Sequence, residues 1–328
     1  MNWTKHTLDK ARSVHSAITD LLKFISSEGG DPDELVHLFE GHYAALDDLY
    51  LDRMPIAVAL DESDLVLRYV GPQIGEGPSP FPRFTRFHRI FGDIHKEMVR
   101  VAKTHPNYAC SDIDWRGDAD LRITAADLRL IFGFKLPATY GSDSNRLRLG
   151  SSDPIFVAVK ESIEILGVVA ASLQDENPWE IIQAFAKGRP ALDVAVVDAA
   201  LHAVRRIIPH NERGIDCVEI GGLAVPHGRS LELGEDHWLR ATVAIAGIEV
   251  PNEQVDVVGT LCPIDPGTLR FELRGIDGLR PIRCKYRKEH ADFVKSHRRK
   301  KVQVSGRAEF DIKHNPRFVV VETITPKS

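Results

Sequence analysis

Apolar positions in the first hundred residues recur at helical spacing. Leu8, Ala11, His15, Ile18, Leu22 and Ile25 step by three and four, which puts them on one helix face. Gly29-Gly30 ends this run, because glycine accepts the left-handed conformation that closes a helix. Asp31-Pro32 predicts a restart, with Asp as N-cap and Pro in the first turn. Leu35, Leu38, His42, Ala45 and Leu49 make the second seam. Past a Pro/Gly-rich loop at 71–82, Phe84, Phe87, Phe91, Ile94, Met98 and Val101 make a third. Three such helices predict an N-terminal helical bundle over residues 1–110. Residues 56–60 and 65–70 are short apolar runs whose pattern fits strand or helix equally.

The period then changes. Leu128, Leu130, Phe132 and Phe134 alternate as a half-buried strand does. With Leu121 and Ile123 before them and Leu147 and Leu149 after, they predict a three-stranded meander. Helices are expected from Ser151-Ser152-Asp153-Pro154, from Asn177-Pro178 and over 190–208. The last has Val194, Val197, Leu201, Val204 and Ile208 inward. Sheet followed by helices reads as a central α+β region over residues 111–214. Residues 215–254 read as a connecting β/loop segment.

Residues 255–328 are the most legible. Strands are expected over 255–264, 268–274, 281–287, 301–310 and 317–324. Asp265-Pro266-Gly267 supplies a turn, since Pro fixes φ and Gly accepts positive φ. A short helix is expected over 288–299. The order strand, strand, strand, helix, strand, strand resembles the OB-fold, a five-stranded Greek-key barrel. That fold hosts many functions, so the resemblance implies an architecture and no activity. The fold class expected for the whole chain is α+β and multidomain.

Charge sharpens this picture. The formal net charge is -5. Residues 255–328 hold 16 basic and 9 acidic residues, net +7, which leaves the rest at -12. Such a split points to an anionic partner for one end, or to the two ends meeting each other. Strand alternation turns Leu269, Phe271, Leu273, Ile282, Cys284 and Tyr286 inward. Arg270, Arg274, Arg283, Lys285 and Arg287 then face outward, on the strands that OB-folds commonly use for oligonucleotides. Arg298, Arg299, Lys300 and Lys301 extend the basic run. Both aromatics of these strands, Phe271 and Tyr286, fall on the core side, which removes the stacking that single-strand binders use. The expected function is a noncatalytic binding or scaffold protein. Its partner is an acidic protein or a second copy, with nucleic acid the lesser expectation.

Catalytic and metal motifs are weak. His37 and His42 do not make H-E-x-x-H, and His15, His42, His88 and His95 lack the carboxylates of a bundle metal site. No metal or cofactor is expected. Val157-Ala158-Val159-Lys160 has no kinase context, and the loop from Gly71 to Gly77 has no phosphate-cradle lysine. Asp311-Ile312-Lys313 lacks a nuclease's second acid. The alternative function is an enzyme with its site at a domain junction, using His210, Glu212 and Asp216 or His227, Glu235 and His237. Four cysteines with no C-x-x-C, a polar N-terminus and no apolar run near 20 residues fit a cytoplasmic protein that does not enter membranes.

Overall fold

The computed structural model describes residues 2–28, 37, 39–72, 80–110, 122–127, 130–136, 154–210, 214–226, 230–276, 278–311 and 313–327. It mixes helix and sheet, with a closed five-stranded barrel at the C-terminal end. No helix among these residues is long and apolar enough to cross a membrane.

Helix α1 (Trp3–Ser27) is capped by Asn2, whose side chain accepts from the Lys5 amide. It packs on α2 (Glu40–Asp47) and the π-helical turn that follows, Asp48–Arg53. Ala11, Ile18 and Ile25 of the first seam meet Phe39, Leu46 and Leu49 there. The expected N-cap Asp31, and Leu35 and Leu38 of the expected second seam, lie outside the described residues. The first ambiguous run becomes helix α3 (Met54–Glu62), and the second becomes strand β1 (Leu65–Val70).

Helix α4 (Pro80–Thr104) does not join the core of α1 and α2. Its Phe87 and Phe91 rings lie against Phe132, and Ile94, Met98 and Val101 enter the main core. Its stripe is wide and aromatic, so it seats better on a sheet face than in a narrow helix seam. The expected single bundle is therefore two packing units.

The sheet has the order β2-β3-β1-β4-β5, built from β2 (Arg122–Asp127), β3 (Ile131–Lys135), β1, β4 (Cys217–Gly221) and β5 (Leu231–Leu233). The first two strands of the expected meander pair, and residues 147 and 149 lie outside the described residues. Strand β3 is buried on both faces rather than half-buried, because helices cover both. Val66 and Ile131 meet Ala59 and Leu60 of α3 on one side. Leu65, Leu67, Tyr69, Phe132 and Phe134 meet α4, α5 (Pro154–Ser172) and α7 (Val194–Ile207) on the other. Helix α6 (Pro178–Ala186) and α8 (Glu235–Ala246) flank this layer. The segment expected to connect domains thus supplies a strand that pairs with β1, and a helix.

The barrel strands are β6 (Glu253–Asp265), β7 (Arg270–Arg274), β8 (Ile282–Lys285), β9 (Lys301–Phe310) and β10 (Pro316–Pro326), with α9 (Ala291–Ser296) between β8 and β9. They close in the order β10-β8-β7-β6-β9, and the β10–β8 pair alone among them is parallel. Phe271, Leu273, Ile282, Cys284 and Tyr286 fill the interior, as the alternation predicts.

Strand β9 crosses β10 so closely at Gly306 that a β-carbon there collides with the Val320 carbonyl. Gly306→Val is expected to lower unfolding free energy by about 1–3 kcal/mol through overpacking, read from the urea midpoint.

Candidate functional site

The β7 and β8 cations leave the barrel interior, as alternation requires, yet two of them do not reach solvent. Arg270 is 1 % and Arg283 2 % exposed. Both grip Asp198 of α7, itself fully buried. Arg270 Nε donates to Asp198 Oδ1 at 2.9 Å, and Arg283 Nε donates to Oδ2 at 2.8 Å. Arg270 also donates to the carbonyls of Thr268 and Ile245, at 3.0 and 2.7 Å. His202, one turn along α7, places Nε2 3.8 Å from Asp198 Oδ1. Burial alone raises a carboxyl, but Arg270 and Arg283 beside it hold Asp198 well below the usual carboxylate range.

A second brace lies at the N-terminus of α7. Asp193 caps the helix, with Oδ1 accepting from the Val196 amide at 2.9 Å. Its Oδ2 accepts from Arg317 Nε of β10 at 2.8 Å. Glu309 of β9 accepts from the Val194 amide at 2.9 Å. Burial, with Asp193 nearby, pushes the Glu309 carboxyl up to about 7.

The nine predicted site residues therefore divide. Arg270 and Arg283 are internal, which corrects the expectation that they face a partner. Lys285 is half-buried and donates to the Ala246 and Ile248 carbonyls at 2.6 and 2.8 Å, at the end of α8. Arg274 is exposed but donates twice to Glu272, at 2.9 and 2.7 Å. Arg287 is exposed, 3.8 Å from Glu289. Arg298, Arg299, Lys300 and Lys301 are all exposed and carry no ion pair among the described residues. Lys288 and Lys295 share that condition.

These last cations sit on a backbone pinned to the barrel. The Arg299 amide donates to the Leu261 carbonyl at 2.8 Å, and the Leu261 amide to the Lys300 carbonyl at 3.0 Å. Arg299 holds φ at 61° to turn the chain from α9 into β9. The charges thus stand on a fixed edge rather than a loose loop.

Of the alternative enzyme residues, Glu212 and His227 lie outside the described residues. His237 caps α8 through Nδ1, which accepts from the Gly234 amide at 3.2 Å. Asp216 is exposed beside β4. His210 and Glu235 come together, Nδ1 to Oε1 at 3.7 Å. His210 stacks on Trp238 at 3.8 Å, and Arg205 lies 4.2 Å over the same indole. They edge a cleft of about 260 Å³ that also receives Tyr69, Asp93, Glu97 and Arg206. Burial pushes the Glu97 carboxyl up to about 7 against the pull of Arg206, whose Nη1 donates to it at 2.9 Å. Burial likewise pushes the Cys217 thiol up to about 12, which disfavours the thiolate form.

Sequence reading missed Asp198 and Glu97. Asp198 had a signal: it is the one charged residue between Val194 and Leu201. An acid within such an apolar run needs a cationic partner.

Asp198→Asn leaves Arg270 buried without an ion pair and Arg283 with only Glu272, 3.9 Å away. It is expected to cost about 3–5 kcal/mol, measured by urea denaturation at neutral pH. The apolar triple Asp198→Leu, Arg270→Met, Arg283→Met is expected to cost far less than the single change. The pH dependence follows from the lowered Asp198 value. Its contribution is full above the ordinary 3.8 and is lost as pH falls below it. The stability difference between the native chain and Asp198→Asn should therefore shrink on acidification below that point.

No known protein family, curated protein or solved structure matches this chain.

Proposed function

We propose that this chain is a noncatalytic binding or scaffold protein whose C-terminal barrel is OB-like. Its exposed basic edge, Arg298, Arg299, Lys300 and Lys301 with Lys288 and Lys295, engages an acidic protein surface. The OB-like reading is supported by the strand order and by the helix between the third and fourth barrel strands.

One observation carries the functional reading. Six exposed cations with no ion pair among the described residues lie within residues 288–301, against two exposed acids there, Glu289 and Asp292, and the backbone at Arg299 and Lys300 is pinned to Leu261. An excess of charge of one sign steers an oppositely charged partner and fixes its register. An acidic protein is favoured over nucleic acid for two reasons. The β7–β8 face, where OB-folds commonly take oligonucleotides, is covered by α7 through Asp198. The large exposed apolar side chains of the described barrel include no aromatic ring for base stacking. A cytoplasmic location belongs to the same proposal, supported by free Cys217, Cys262 and Cys284.

A second reading, an enzyme at a domain junction, is favoured by the cleft of Glu97, His210 and Trp238. Its test is tryptophan fluorescence. A small-molecule ligand that quenches the native chain and leaves Trp238→Phe unaffected supports that reading.

The basic edge is tested by fluorescence anisotropy with a labelled glutamate-rich peptide and a single-stranded DNA of equal charge. The peptide should bind, and Arg298→Glu with Arg299→Glu should weaken it by about tenfold or more. Arg299→Gly should weaken it less while leaving the fold intact, since glycine accepts φ of 61°. Tighter binding of the DNA than of the peptide, or binding unmoved by these changes, overturns the proposal.

A further inference from the structure

Acidic charge gathers at the opposite end of the sequence from the basic edge. Residues 1–62 hold 5 basic and 12 acidic residues, net -7, against net +7 for residues 255–328. The remaining chain, 63–254, carries 21 basic and 26 acidic residues, net -5 over a stretch three times as long. The two ends are thus the poles of a charge separation.

The fold keeps these poles apart within one chain. Helix α3 covers the sheet face that carries Val66 and Ile131. Helix α7 belongs to the layer on the other face, and the barrel docks on α7 through Asp198 and Asp193. The sheet and its helical layer stand between the acidic helices and the barrel. The complementary surfaces must then find each other between molecules.

The acidic pole has a face suited to arginine. Glu40, Tyr43, Asp47 and Leu51 recur at three- and four-residue spacing along α2 and its π-helical continuation, and all four are exposed. Glu40 and Asp47 carry no ion pair among the described residues. The exposed aromatic rings of the described residues, Phe24, Tyr43 and Tyr50, all lie on this unit. Two carboxylates flanking one aromatic ring, Tyr43, offer a guanidinium both an ion pair and a cation–π seat. The barrel edge offers Arg298 and Arg299 beside Lys300 and Lys301, with the neighbouring Phe293 and His297 rings only part-exposed and stacked on each other.

We infer that the acidic partner is a second copy of this chain, whose α2 face, Glu40, Tyr43, Asp47 and Leu51, receives the basic barrel edge. The inference rests on the basic edge being a binding surface, as proposed above, and names its occupant. A twofold arrangement makes the contact twice, each copy giving its basic edge and its acidic face. The association is electrostatic in origin, so it weakens steeply as salt rises.

Sedimentation velocity of the full chain over a range of protein concentrations tests this. At low ionic strength the sedimentation coefficient should rise with concentration to that of a dimer. At about 1 M salt, where the screening length is about 3 Å, it should return to the monomer value. Glu40→Lys with Asp47→Lys should abolish association, and Arg298→Glu with Arg299→Glu should do the same. All four positions are exposed, so both variants should keep the native circular dichroism spectrum. Mixing the two variants should restore association, because one then presents two basic poles and the other two acidic ones. A monomer under all conditions overturns the second-copy inference, and so does association that survives both charge reversals. The glutamate-peptide experiment separates the two levels. Peptide binding by a chain that stays monomeric removes the second copy and leaves the basic edge standing, whereas failure of both removes the edge itself.

Discussion

Asp198 shares a space closed to water with the guanidinium groups of Arg270 and Arg283. Taking such groups out of water costs several kcal/mol each, and the cost is offset only where geometry is good and the remaining donors are satisfied. Arg270 meets that condition: its Nε and both terminal nitrogens donate, to Asp198, Thr268 and Ile245. The cluster cannot form in the barrel alone or in the helical layer alone. Asp198 belongs to one half and the two arginines to the other. Separating the halves would strand Asp198 and Arg270 and leave Arg283 with only Glu272, 3.9 Å away in the barrel. That makes barrel docking specific in position, whatever its net contribution to stability.

The same cluster decides what the barrel has left to offer. Its β7–β8 face is committed to α7, with Lys285 tied to the end of α8 and Arg274 to Glu272. The second brace, Arg317 on the N-cap carboxylate of α7, commits β10 as well. Part of the positive charge seen in the sequence is thus a fastening to the acidic remainder of the chain. What stays available is the turn from α9 into β9, where backbone hydrogen bonds to Leu261 hold the chain while its side chains point away. The cleft lined by Glu97 and Trp238 lies in the α/β layer and owes nothing to this edge.

Alternating strands were readable because their period of two shows at once which residues face in. Phe271, Leu273, Ile282 and Cys284 fill the barrel for that reason. Helical seams were readable from their three-four spacing, but not what each seam packs on. The stripe of α4 looks like a bundle seam and seats on Phe132 and Phe134 of the sheet instead. Strand β4 and helix α8 went unread, since short elements between loops carry too few periods to register. The acidic pole was hidden for another reason: Glu40, Tyr43, Asp47 and Leu51 form a face only once the helix and its π-turn exist.

The amino-acid sequence by itself determined the order of elements in the C-terminal barrel, the direction in which its side chains alternate and the imbalance of charge between the ends. These are local or additive properties, carried by neighbouring residues. Only the tertiary structure decided that outward does not mean exposed. Whether Arg270 and Arg283 reach solvent depends on a carboxylate some seventy to eighty-five residues earlier in the chain, and burial is a property of what folds over a surface rather than of the strand that bears it.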